Sequence, residues 1–443
     1  MPEATYHFPK GFLWGTATAS QQMEGQNTNN NWAEWETQPG HIHNGEKAGL
    51  ACDWWGGRWK EDFQNAYECG QNAHRMSIEW SRIQPEPDRW DDSALEVYVK
   101  MVRWLVDHKM TPLVTLHHFS DPLWLVKTGG WENEATPALF EKFVRHVIPA
   151  LSDYVNLWVT INEPNVYVMS GWVGGEFPPG KNDLGLAMKV LVNLIKGHAL
   201  AYKTIHELQP SAQVGTAINY RSFLPARSWS LLDRIPTRLL DRIYNCSFTD
   251  TLKSGKLDLV FKKFALPEAA NTQDFIGVNY YSRDLVKFNL LKPGMMFGER
   301  SYPKEALLSP TGFLANVPEG MYDALKWAHG YELPILVTEN GVEDDKDTLR
   351  PRYTIEHLYQ VWRAANFNWR IKGYFHWSLV DNFEWERGWS QRFGLWGLDT
   401  ETQKRIRRPS VDMYEEICKE NGISSQLVER FAPEIFERIF PAK

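Results

Sequence analysis

The chain is short of cysteine, with four in 443 residues (Cys52, Cys69, Cys246, Cys418) and no Cys-x-x-Cys pair. That scatter argues against a zinc ribbon or a disulfide framework and reads as buried small hydrophobes in a reducing compartment. Long apolar runs are missing too. None approaches the roughly 18 residues of a membrane span, and mean hydropathy is −0.45. The start, Met1-Pro2-Glu3, offers neither a basic flank nor an apolar signal core, so a cytoplasmic location and no membrane partner are expected. There is no Lys/Arg block, and 48 basic against 55 acidic residues leave a net charge of −7, which argues against nucleic acid as a partner. Low-complexity linkers, internal repeats and charge blocks are absent as well. A length prior of about 150 residues per domain suggests about three domains. Nothing marks a boundary, however, and the expectation is one catalytic domain over residues 1–443.

What is abundant is tryptophan, 21 of them, in a chain that is 14% aromatic. So much apolar area can offset the entropy of folding, which rules out disorder. Flat aromatic faces also suit the C–H-rich faces of sugars. Composition alone leaves packing and sugar recognition both open.

Short β-rich runs alternate with longer amphipathic ones, the pattern of βα units on a parallel sheet. Eight runs qualify: Phe12–Ser20, Ala73–Trp80, Pro112–His118, Leu157–Glu163, Gln213–Asn219, Asp274–Tyr281, Pro334–Asn340 and Gly373–Leu379. Between them, helices are expected at Pro137–Leu151, Leu184–Leu208, Gly320–Ala328, Ile355–Asn368 and Val411–Glu420. A further one carries Leu95, Tyr98, Met101, Val102 and Leu105 behind a capping box of Ser93 and Glu96. Eight such units give the α/β class and a (β/α)8 TIM barrel, whose chemistry sits at the C-terminal strand ends. Those ends turn polar here, at Gln21-Gln22, His117-His118, Asn162-Glu163, Asn219, Tyr281, Glu339-Asn340 and Trp377. Long loops after strands one, six and eight (21–53, 282–317 and 380–408) are placed to wall a deep pocket.

Two glutamates end apolar strands, Glu163 before Pro164 and Glu339 before Asn340-Gly341. Facing carboxyls suit glycoside cleavage, one protonating the leaving oxygen while the other attacks the anomeric carbon or activates water. Adjacent His117 and His118 point to opposite faces of a strand, which argues against a metal pair. No His/Asp ligand set recurs at several strand ends, and neither a metal nor a cofactor is expected.

The motifs Thr160-Ile161-Asn162-Glu163-Pro164 and Val337-Thr338-Glu339-Asn340-Gly341 resemble the acid/base and nucleophile signatures of glycoside hydrolase family 1, the β-glucosidase and β-galactosidase family. The likeness runs through Phe8–Ser20, Gln22–Gly25, Arg75–Ile83, Val278–Tyr281, Trp377–Trp385 and Arg392–Gly394. It implies a retaining double displacement on small neutral β-glycosides or cello-oligosaccharides, with Glu339 as nucleophile and Glu163 as acid and then base. Glu163 is expected to hold its proton and Glu339 to be ionised, supported by Arg75, Asn279 and Tyr281. Gln22, His118, Asn162, Tyr281, Glu384 and Trp385 match sugar-binding positions, and Trp377 the platform under the ring. Trp172 is expected at the pocket entrance. Glu384 argues against the alternative of a 6-phospho-β-glycosidase, and the paired glutamates argue against a sugar-binding pseudoenzyme. The chain departs from the family pattern at Gln21, Phe119, Asn165, His376 and across Gly312–Val317.

Overall fold

The computed structural model describes residues 4–441. Eight parallel strands close on themselves: β1 (Leu13–Ala17), β2 (Ala73–Ser77), β3 (Thr111–His117), β4 (Leu157–Asn162), β5 (Gln213–Pro225), β6 (Phe275–Phe288), β7 (Ile335–Asn340) and β8 (Ile371–Trp377). Each pairs with the next, and β8 returns to β1 in register Tyr374↔Trp14 and Trp377↔Ala17. The barrel expected from the alternating pattern is the one the chain forms.

The strands are buried on both faces, which is why they read as apolar runs such as Leu113-Val114-Thr115-Leu116 rather than as alternating ones. Helices cover the outside. Asp92–Asp107 turns Leu95, Tyr98, Met101, Val102 and Leu105 inward, as their spacing predicts. Its cap differs from the expected box. Asp91 is the N-cap, accepting from the Ala94 amide at 3.1 Å, and Ser93 instead donates its hydroxyl to Asp91. Leu184–Leu208 has an apolar 18-residue window of mean hydropathy 1.3, long enough to cross a bilayer. Its apolar side chains, among them Val190, Leu194, Ile195 and Ile205, face the interior instead, and the helix packs along Thr136–Leu151.

The largest departures from expectation lie after β5 and β6. Both strands outrun the barrel and keep pairing in parallel beyond it, with Ser222 opposite Arg283 and Pro225 opposite Val286. An antiparallel strand, Gly298–Ser301, then pairs with the outer end of β6. The segment expected as a loop over 282–317 is thus partly a sheet wall. After β5 a helix over Leu231–Leu240, a π-turn over Asp241–Cys246 and a helix over Ser247–Ser254 follow, none of which the pattern had suggested.

Candidate active site

The polar ends of the strands meet in one cavity of about 610 Å³ at the C-terminal face of the barrel. Glu163 comes straight off β4 with φ of 41°, a left-handed conformation that non-glycine residues adopt at a cost. Its amide is held by the Ala217 carbonyl at 2.7 Å, and Pro164 starts a short helix immediately behind it. Glu339 reaches the cavity from β7. The following Gly341 is required there, since a Cβ would come within 1.8 Å of the Trp377 carbonyl oxygen.

The two carboxyls have unlike neighbours. Glu339 takes one strong donor on each oxygen: Arg75 Nη1 on Oε1 and the Tyr281 hydroxyl on Oε2, both at 2.6 Å. Glu163 has only amides within hydrogen-bonding reach, Asn279 at 2.8 Å and Asn219 at 2.9 Å, and both donate to Oε1. That leaves Oε2 as the oxygen free to carry a proton. Burial, then the charge of Glu339, pushes Glu163 up to about 8. Burial also lifts Glu339 above the usual carboxylate range, while Arg75 and Tyr281 pull it back. Of the two, Glu163 is the partner with no cation bound to it, which favours a proton there over Glu339.

Asn279 sits between the two carboxyls: its amide donates to Glu163 Oε1 at 2.8 Å, it also pulls Glu339 down by hydrogen bonding, and its carbonyl accepts from Thr338 at 2.6 Å. Arg75 and Tyr281 reach Glu339 as expected. Arg75, fully buried, also donates Nη2 to Asn162 Oδ1 at 2.7 Å, which fixes the amide so that Asn162 Nδ2 donates to His118 Nε2 at 2.9 Å. His118 is thereby the Nδ1–H tautomer, kept neutral by burial and by Arg75, with Nδ1 buried and unpartnered. His117 points the other way, to Asp121 and Trp131, as alternation along a strand requires.

Farther in, Gln22 Nε2 lies 3.0–3.1 Å from Asn382 Oδ1, the Phe383 carbonyl and Glu384 Oε2. Its Oε1 is buried without a partner. Trp377 and Trp385 line the cavity beside His118, with Trp385 stacked on the His118 ring at 5.8 Å. Glu384 is pushed up to about 8 by burial and by neighbouring Glu386. It is therefore largely protonated near neutrality, not the standing carboxylate that the phosphate argument assumed.

The departures fall into place physically. Gln21 accepts from Asn30 at 2.6 Å behind the cavity, Phe119 lines the wall edge-on to Trp385, and His376 is a neutral core residue. Asn165 ties two segments together through the Asn219 and Tyr244 carbonyls. Phe313 supplies an aromatic face at the mouth. Trp172 is not an entrance residue. It lines a separate cavity, its indole bonded to Glu132 at 2.7 Å. Tyr244, Arg221, Arg300 and Tyr302 also line the main cavity, and no motif announced them. Only Asn219 carried a signal, as a polar residue closing an apolar strand.

The Glycosyl hydrolase family 1 model matches residues 4–423. The chain is 36% identical to Beta-glucosidase A of Thermotoga maritima, covering 94% of this chain and 98% of that one. It is 34% identical to the 1,4-beta-D-glucan glucohydrolase of Thermotoga neapolitana over 94% and 99% of the two. A solved beta-glycosidase from Pyrococcus horikoshii superimposes with a TM-score of 0.91 at 37% identity, covering 97% of this chain and 98% of that chain. The chain belongs to glycosyl hydrolase family 1.

Proposed function

We propose that this protein is a retaining β-glycosidase of the β-glucosidase type, releasing the terminal non-reducing sugar from small neutral β-glycosides such as cellobiose. The observation that carries the reading is the asymmetry of the buried pair: Glu339 between a guanidinium and a phenol, Glu163 between two amides. In this reading Glu339 attacks the anomeric carbon as the bond to the leaving oxygen breaks. That oxygen takes the proton from Glu163, and a glycosyl ester remains on Glu339. Esterification removes the charge that raises Glu163, so Glu163 becomes able to accept a proton from water. The water oxygen then attacks the same carbon and frees the sugar with its configuration retained.

The sugar hydroxyls fall to His118, whose Nδ1 has an unspent hydrogen bond, with Glu384 and Trp385 alongside and Trp377 beneath the ring, all lining the cavity. Gln22, whose Oε1 is also unspent, and Asn162 lie buried just behind them, bonded to Glu384 and to His118. Against a 6-phosphate stands the absence of lysine from the cavity lining among the described residues. A panel of nitrophenyl gluco-, galacto-, fuco- and 6-phosphoglucosides tests the reading. Turnover of the neutral sugars and rejection of the phosphate is expected. Turnover of the phosphate alone would select the phosphoglycosidase, and no turnover at all would select a binding protein.

A further inference from the structure

The mouth of the cavity is electrically divided. On the Glu384 side Glu386, Glu176 and Arg387 gather, and Arg387 pairs with Glu386 at 3.1 Å. The side beyond Glu163 is different. Moving outward from the Glu163 carboxyl, Asn219 accepts from the Tyr244 hydroxyl at 3.1 Å. The Tyr244 phenol feels Glu163 on one hand and Arg221 and Arg300 on the other. Arg221, on the outer part of β5, grips buried Asp284 through Nε at 3.0 Å and Nη2 at 2.8 Å. Arg300, from the strand Gly298–Ser301, reaches the same carboxylate at 3.4 Å.

Among the described residues these two guanidiniums form their ion pairs with Asp284 alone, so two positive charges face one negative. Arg300 is the freer of them, its side chain 42% exposed and most of its five N–H donors unspent. Aromatic faces flank the pair. Tyr302 lies under the Arg221 guanidinium at 5.7 Å from its ring centre, and Tyr244 and Phe313 line the same wall. Because the proton donor marks where the leaving oxygen sits, this wall receives the leaving group and not the sugar.

We propose that the leaving-group site selects β-glycosides whose leaving group is an aromatic ring bearing a carboxylate, with the carboxylate held by Arg300 and the outer edge of Arg221. The inference rests on the β-glycosidase reading. One uncompensated positive charge matches one carboxylate. A dianionic phosphate would leave a charge unpaired, and an alkyl chain would desolvate the guanidiniums without replacing their hydrogen bonds.

The test compares 4-carboxyphenyl β-glucoside with 4-carbamoylphenyl β-glucoside, which has the same ring and carbonyl without the charge. The readout is the ratio of their kcat/KM values in wild type, R300Q and R300K. Differences in phenol acidity cancel when this ratio is compared between variants. A half-exposed ion pair contributes up to about 1 kcal/mol, so R300Q should lower the carboxylate/amide ratio about threefold to fivefold. R300K should retain most of the ratio. Raising sodium chloride tenfold should shrink the wild-type ratio through screening, a reading that does not depend on any variant folding. A ratio unmoved by both R300Q and salt would overturn the inference while turnover of the neutral amide left the glycosidase reading standing. Failure of the wild type to hydrolyse either glucoside or any sugar of the nitrophenyl panel would overturn both.

Discussion

Replacing Glu339 with glutamine should change the proton affinity of Glu163 by an amount that follows from Coulomb's law at the carboxyl spacing of a retaining site. Glu163 is raised to about 8 by burial first and by the charge of Glu339 second. Retaining glycosidases hold their two carboxyls about 5–5.5 Å apart. Two unit charges at roughly 5.5 Å, with an effective dielectric of about 20, repel by about 3 kcal/mol. That is about 2 pKa units. Removing a negative neighbour makes the ionised form of Glu163 easier to reach, so its pKa falls. The burial contribution stays, and E339Q should titrate Glu163 at roughly 6, still above an exposed glutamate. Carbon-13 labelling of the glutamate side-chain carboxyls reads this directly. E163Q identifies the Glu163 signal, and E384Q identifies the other group raised to about 8. A Glu163 titrating below about 6 in the wild type would refute the reasoning. So would a displacement of less than about half a unit in E339Q, because Glu339 would then not be what holds the proton in place.

Tyr281→Phe removes the phenol that donates to Glu339 Oε2 and should raise that carboxyl's pKa. A hydrogen bond to a charged group contributes about 1.5–3 kcal/mol, so kcat/KM at pH 6 should drop roughly 10- to 150-fold, with the acidic limb of its pH profile moved upward. Arg75→Met leaves Glu339 buried without its cation. Stability should fall by about 3–5 kcal/mol in urea unfolding at pH 7.5, and much less at pH 5, where Glu339 can take a proton instead. Glu384 is raised on folding from 4.5 to about 8, so its ionisation costs stability progressively as pH climbs through that window. Glu384→Gln should therefore narrow the gap between the melting temperatures at pH 5.5 and pH 8.5. An unchanged gap would mean that Glu384 ionises freely in the folded protein.

The barrel was legible because its strands are buried on both faces and end in polar residues, a contrast that survives in a single sequence. The ends at Asn162-Glu163 and Glu339-Asn340 marked the cavity for the same reason. What could not be read was whatever tertiary pairing supplies. The outer halves of β5 and β6 look like a polar loop, since Arg221, Arg283 and Asp284 interrupt the apolar pattern. They are strand because each pairs with the other beyond the barrel, where Arg221 meets Asp284 and Arg283 reaches Ser222 and Asp323. Arg221 and Arg300 line the cavity mouth only through that pairing. Asn279 shows a finer limit: lying between the two carboxyls on β6, it bonds Glu163 as well as the expected Glu339, a sharing that only side-chain geometry reveals. Glu384 was recognised as a site residue, but its protonation depends on Glu386 and on burial, neither of which a motif encodes.

The central claim is that Glu339 forms the covalent bond to the sugar and Glu163 does not. Incubation with 2-deoxy-2-fluoro-β-glucosyl fluoride slows the release step more than attack and traps whatever ester forms. Peptide mass spectrometry of the trapped enzyme should then find one fluoroglucosyl group, on the peptide that ends β7, at Glu339. A fluoroglucosyl group on Glu163 instead would reverse the assignment of roles, and an enzyme that turns over the reagent with no ester formed would contradict the retaining mechanism itself.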